Sequence, residues 1–157
     1  MHIEEVMTKD VRSCHATATL NEAARVLWDQ DCGCVPIVDD NGSVIGMLTD
    51  RDICMAAYTR GARLGEIPIA DVMSKQVISC GPNDYIDAAE ALMKKHQIRR
   101  LPVVGFENQL LGILSLNDIS RAARKGGDVH DRGLTAAAVE DTLATIGEPR
   151  FHHAVTA

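Results

Sequence analysis

The chain states nearly the same pattern twice. Val6-Met7-Thr8-Lys9 returns as Val72-Met73-Ser74-Lys75. Val35-Pro36-Ile37-Val38, followed by Gly46-Met47-Leu48-Thr49-Asp50-Arg51-Asp52-Ile53, returns as Leu101-Pro102-Val103-Val104, followed by Gly112-Ile113-Leu114-Ser115-Leu116-Asn117-Asp118-Ile119. From Val6 to Val72 and from Asp52 to Asp118 the step is the same, 66 residues, so no insertion separates the copies. Each copy has about 50 to 60 residues, a size at which a folded unit buries only about 60% of its unfolded surface and is marginal alone. Two such halves are expected to bury their apolar faces against each other, as one pseudo-twofold domain of two modules with clefts along the seam.

Composition narrows the function classes. An apolar share of 46% with 24% charged residues suits a soluble globular domain, and an aromatic share of 3% leaves the core to Val, Ile, Leu, Met and Ala. A net charge of −6 argues against a nucleic-acid partner, which calls for a basic face. No apolar run approaches the roughly 18 to 20 residues that span a bilayer. The opening Met1-His2-Ile3-Glu4-Glu5 lacks the basic-then-apolar order of a secretion signal, so a cytoplasmic location with no membrane association is the expectation. Five cysteines, Cys14, Cys32, Cys34, Cys54 and Cys80, are an odd number, and they are expected as buried free thiols rather than as a disulfide framework.

Each module reads strand, helix, strand, strand, helix. In the first, a short strand surrounds Val11 and Ser13. Leu20, Ala23, Ala24, Leu27 and Trp28 have the spacing of an amphipathic helix over about 19–30, with Thr19 and Glu22 as a capping box. Strands follow at 34–38 and 44–48 around the turn Asp39-Asp40-Asn41-Gly42, and a second helix covers about 50–58. The second module places helices at 84–96 and 116–124 and strands at 100–104 and 110–114, the first of these helices showing Ile86, Ala89, Leu92 and Met93 on one face. The expected organisation is module 1 at 1–60, a linker at 61–71, module 2 at 72–124 and an extension at 125–157. That extension has a helix at about 135–146, with Val139, Leu143 and Ile146 on one side, and a frayed tail. A lone helix of about twelve residues is marginal in water, so this one is expected to dock on the body or on a second subunit.

The sharpest chemical signal is the string Gly-x-x-[Thr/Ser]-x-x-Asp, present at 46–52 and at 112–118. A strand ends at a hydroxyl residue that opens a helix whose third position is aspartate. Such a pair is first of all an N-cap and capping box. It also puts free helix N–H groups where phosphate binds well, and a carboxylate where it can accept two hydrogen bonds from a ribose diol. Arg99 and Arg100 precede the strand at 100–104 and suit phosphate, whereas their counterparts Gly33 and Cys34 carry no charge. The cleft near the arginines is therefore expected to prefer phosphorylated ligands.

With these strings in hand, the chain resembles a tandem pair of cystathionine-β-synthase (CBS) domains, the Bateman module, over about residues 3–124. The resemblance implies an α/β (α+β) fold of two tandem β-α-β-β-α units plus the C-terminal helix. It implies a stand-alone, non-catalytic regulator that senses energy state, binds AMP, ADP, ATP, NAD or S-adenosylmethionine in the clefts and signals to a protein partner. By the same resemblance Asp52 and Asp118 hold ribose. Thr49, Ser115, Asn117, Arg99 and Arg100 meet phosphate, and Cys32, Gly33, Met47 and Ile113 lie near the base. It also implies a homodimer, with no obligatory cofactor.

Two other classes are weighed against this. A redox- or metal-responsive protein would use Cys32 and Cys34 with Cys14 or a histidine, but a single Cys-x-Cys without a second pair is half of a zinc site. An enzyme would need a nucleophile, base and orienting group brought together, and His15 and His96 stand in no such pattern. No catalytic or metal-binding residue is expected.

Overall fold

The computed structural model describes residues 1–125 and 134–149. The expected tail lies outside the described residues, and so does the glycine-containing stretch Gly126-Gly127-Asp128. Among the described residues, five α-helices and five strands run in the order β1 (Cys14–His15), α1 (Leu20–Asp29), β2 (Cys34–Val38), β3 (Val44–Thr49), α2 (Asp50–Arg60), α3 (Ile86–His96), β4 (Arg100–Val104), β5 (Leu110–Ser115), α4 (Leu116–Arg124) and α5 (Ala136–Ile146). β1 pairs parallel to β2 and β2 antiparallel to β3, while β4 and β5 form a two-stranded hairpin.

Local chemistry explains most of these boundaries. Thr19 caps α1, its N–H donating to Glu22 Oε2 at 2.8 Å in the expected box. Asp39 closes the first hairpin by accepting from the amides of Asn41 and Ser43, both at 2.9 Å, while Gly42 takes φ +80°. α2 runs two residues beyond Tyr58 and stops where Gly61 adopts φ 60°, a left-handed cap that glycine reaches without strain. β2 is buried along its whole length, and β3 alternates buried and half-buried positions, as a strand covered on one face does.

Four expectations are corrected. The first strand is Cys14–His15, beyond Val11 and Ser13, and its counterpart in the second repeat is a single bridge at Cys80. There Gly81 gives its N–H to Asp84 Oδ2 at 2.7 Å, and Pro82 has none to give. With Asp84 so engaged, α3 begins at Ile86 rather than at Asp84. Trp28 is 86% exposed, because at about 100° per residue it sits about 80° round the helix from Leu20, off the face of Leu20, Ala23 and Leu27. On α5 the buried positions are Thr142 and Ile146, and Leu143 faces outward.

The chain folds into two compact units. One comprises Lys9–Ser79 with Pro102–Gly112, and its core includes Leu20, Leu27, Val35, Ile37, Leu48 and Ile69. The other comprises Met1–Thr8, Cys80–Leu101 and the described part of Ile113–Ala157, with Ile3, Ile86, Met93, Leu114 and Ile119 buried. The opening segment of each repeat therefore sits with the body of the other repeat. In the first unit Leu20 N donates to Ile67 O, Ile69 N to Ala18 O, and Met47 and Ser74 exchange two bonds of 3.0 and 2.9 Å. In the second the same bonds recur 66 residues on: Ile86 N to Met1 O, Ile3 N to Asp84 O, and Ile113 with Thr8 at 2.9 Å in both directions. α5 docks on its own unit, against α3 and α4.

Candidate functional site

β3 delivers Thr49 to the start of α2, with Cys34 opposite Thr49 in the register. Thr49 Oγ1 accepts from Asp52 N at 3.2 Å, while the Thr49 amide and hydroxyl donate to Asp52 Oδ2 at 2.9 and 2.7 Å. One carboxylate oxygen of Asp52 is consumed by the cap; Oδ1 has no partner among the described residues. Gly33 is brought here by its carbonyl, which accepts from Asp50 N at 3.3 Å, and Asp50 Oδ1 accepts from Arg51 N at 2.7 Å. The first three amides of α2 are thus all satisfied from within the chain. Met47 shares the half-buried face of β3 with Thr49 and is pinned by Ser74. Cys32 stands exposed on the α1–β2 connection, its thiol donating to Cys34 O at 3.4 Å.

The second repeat builds the same corner with different charges. Ser115 N and Oγ donate to Asp118 Oδ2 at 2.8 and 2.6 Å, and Asp118 N returns to Ser115 Oγ at 3.2 Å. Asp118 is buried, and its Oδ1 is held by Arg121 one turn along α4. Leu116 N donates to Arg99 O at 2.9 Å, which fixes Arg99 at this helix start as Gly33 is fixed at the other. The Asn117 amide has no acceptor among the described residues, because leucine replaces the aspartate that serves Arg51. The Arg99 side chain is exposed and Arg100 half-exposed, and neither forms an ion pair among the described residues. Ile113, clasped by Thr8, lies two residues before Ser115 on β5.

A pocket of about 230 Å³ opens in the first unit between Val44, Ile45, Lys75, Val77, Ser79, Val104 and Asn108. None of the residues picked from the sequence lines it, although Ile45 lies on the same face of β3 as Met47 and Thr49. Its lining mixes Val44, Ile45, Val77 and Val104 with Lys75, Ser79 and Asn108, and carried no signal in the sequence beyond strand periodicity.

The cysteines form no cluster. None of the five is in a disulfide; Cys14, Cys34 and Cys80 are buried, whereas Cys32 and Cys54 are exposed, contrary to the expectation that all would be buried. Burial, with Asp84 nearby, pushes the Cys80 thiol up to about 12, and burial with Glu22 raises Cys14. Among the described residues no three His, Cys, Asp or Glu side chains are placed to hold a metal. No helix among them is long and apolar enough to cross a membrane.

Comparison with known proteins identifies the family and the fold. The family model of the CBS domain fits the chain at residues 3–58 and again at 69–125. The CBS domain-containing protein YhcV of Bacillus subtilis is 39% identical over 118 residues, 75% of this chain and 82% of that one. A homoserine O-acetyltransferase of Methanococcoides burtonii is 32% identical over 76% of this chain, but the match spans 23% of that protein. Among solved structures, the CBS domain pair of protein MJ0100, in complex with 5′-methylthioadenosine and S-adenosyl-L-methionine, superposes with a TM-score of 0.74 at 26% identity. It covers 81% of this chain and 98% of that one.

Proposed function

The chain belongs to the CBS-domain family, and from that premise we propose that it is a non-catalytic regulatory module that binds an adenosine-containing ligand and passes its occupancy to a protein partner. The observation that carries this reading is the matched pair of helix starts. Thr49–Asp52 and Ser115–Asp118 have the same bonds, in a family where a 26% identical pair holds 5′-methylthioadenosine and S-adenosyl-L-methionine.

In the first half-site Asp52 Oδ1 is free to accept from a ribose hydroxyl while Oδ2 keeps the cap. The pocket along β3, beyond Met47, sets Val44, Ile45, Val77 and Val104 beside Lys75, Ser79 and Asn108, which together offer a purine ring apolar contact and polar partners for its edge. The satisfied amides of α2 offer little to phosphate, so this half-site favours a nucleoside or a thioether nucleoside. In the second, Arg99, Arg100 and the Asn117 amide supply donors for phosphate, at the helix start where Ser115 keeps its proton on Asp118. A ribose diol reaches Asp118 only by displacing the exposed Arg121, which is then released toward the phosphates. Differential binding to two conformations of the protein would carry the signal onward. A cytoplasmic homodimer that reads AMP, ADP or ATP is the form of this proposal that the family resemblance suggests.

Isothermal titration of the folded protein with S-adenosylmethionine, 5′-methylthioadenosine, AMP, ATP and NAD tests it. Saturable heat from at least one of them is the expected result; none from any of the five would overturn the proposal.

A further inference from the structure

Outside the repeated corners, α3 and α5 meet through a buried polar chain. Glu90 is 4% exposed and Thr142 fully buried. Thr142 Oγ1 lies 3.1 Å from Glu90 Oε1 and 2.9 Å from Ala138 O. Three oxygens thus stand in line at hydrogen-bond distance, and the middle one owns a single proton. If Glu90 is ionised, one proton serves two contacts and the carboxylate is left short of donors in a buried place. If Glu90 is protonated, its hydroxyl donates to Thr142 Oγ1 and the threonine hydroxyl donates to Ala138 O, so both contacts are made.

From this proton count we propose that α5 docks as a proton-linked clasp: Glu90 is held as the neutral acid beneath the helix, and loss of that proton loosens α5 from α3. The charges around Glu90 agree. Burial raises its carboxyl above the ordinary glutamate value, Asp87 and Asp141 raise it further, and the Thr142 hydrogen bond and Lys94 oppose the rise. Lys94 is itself drawn to Asp141 at 3.1 Å, and on α4, the other helix against α5, Arg121 is taken by Asp118. The docked carboxyl gives up its proton at a higher pH than the free one. Docking is therefore tightest below the ordinary glutamate range, weakens as pH rises through the docked value, and then levels off. Because α5 also packs on α4, whose first turn holds Ser115 and Asp118, the clasp provides a route by which pH reaches that corner. The clasp does not depend on which ligand binds there.

Hydrogen exchange of the α5 amides in the full chain, corrected for intrinsic rates and followed from about pH 5 to about pH 8, is the test. Protection in the unaltered protein should fall severalfold across that range, whereas Glu90→Gln, which keeps a donor for Thr142 but cannot ionise, should be protected equally throughout. Equal pH profiles for the two proteins would overturn the clasp. A carbon-13 titration of the Glu90 carboxyl in the unaltered protein decides the matter even if the variant fails to fold: a value at or below that of free glutamate refutes the proposal, and a raised value upholds it.

Discussion

Gly46 is the position at which the repeat's conserved pattern becomes a measurable energy. It lies in β3 opposite Ile37, one residue before the Met47–Ser74 clasp. A Cβ built there would stand 2.7 Å from Met73 Sδ and 3.1 Å from Ser74 O. The sulfur belongs to a flexible side chain and can swing aside; the carbonyl cannot move without stretching the 3.0 Å bond it accepts from Met47 N. Overpacking of this kind costs about 1–3 kcal/mol. Alanine also restricts the unfolded chain and returns about 0.4–1 kcal/mol, so with both terms at mid-range Gly46→Ala should lose about 1.3 kcal/mol net. For a chain of this size that lowers Tm by about 3–5 °C. Gly65→Ala is the control, since nothing lies within 4 Å of its added Cβ, and it should be neutral or slightly stabilising. Differential scanning calorimetry of the two variants decides the question. A Gly46→Ala protein as stable as Gly65→Ala would refute the claim that the opening segment of the second repeat presses on this strand.

Other consequences are quick to check. Thr49→Ala and Ser115→Ala each remove a cap and should cost about 1 kcal/mol in urea unfolding, with Thr49→Ser nearly silent; losses near zero would mean that the caps do not hold these helix starts. At about pH 8 a thiol reagent should react promptly with Cys32 and Cys54 alone and with all five cysteines after unfolding, because Cys14, Cys34 and Cys80 are buried. Prompt reaction of Cys80, whose thiol is pushed up to about 12, would contradict the packing around it.

Much of this fold was legible because duplication and periodicity are local signals. Thr19–Glu22, the Asp39–Gly42 turn and both hydroxyl–aspartate helix starts each declare themselves within a few residues, and each is found where the pattern put it. What stayed hidden was decided by tertiary partners. Two nearly identical opening segments do not say which body each one joins. Glu90 and Thr142 lie outside the apolar faces that periodicity picks out, yet the hydrogen bond between them is buried, and with Thr142 facing inward Leu143 turns outward. Likewise, the aspartates were legible as candidate ribose ligands, but the Arg121 pairing that closes Asp118 and leaves Asp52 half open depends on side-chain conformation.

The central claim is that these two carboxylates serve a ligand as well as a helix. Asn in place of Asp keeps an acceptor for the cap and removes the charge that a ribose diol would meet, so a double Asp52→Asn, Asp118→Asn protein should fold as before. Titrated with whichever adenosine-containing ligand binds the unaltered protein, it should show affinity reduced about tenfold or more, the loss of one to two charge-assisted hydrogen bonds. Unchanged affinity in the folded double variant would contradict the account.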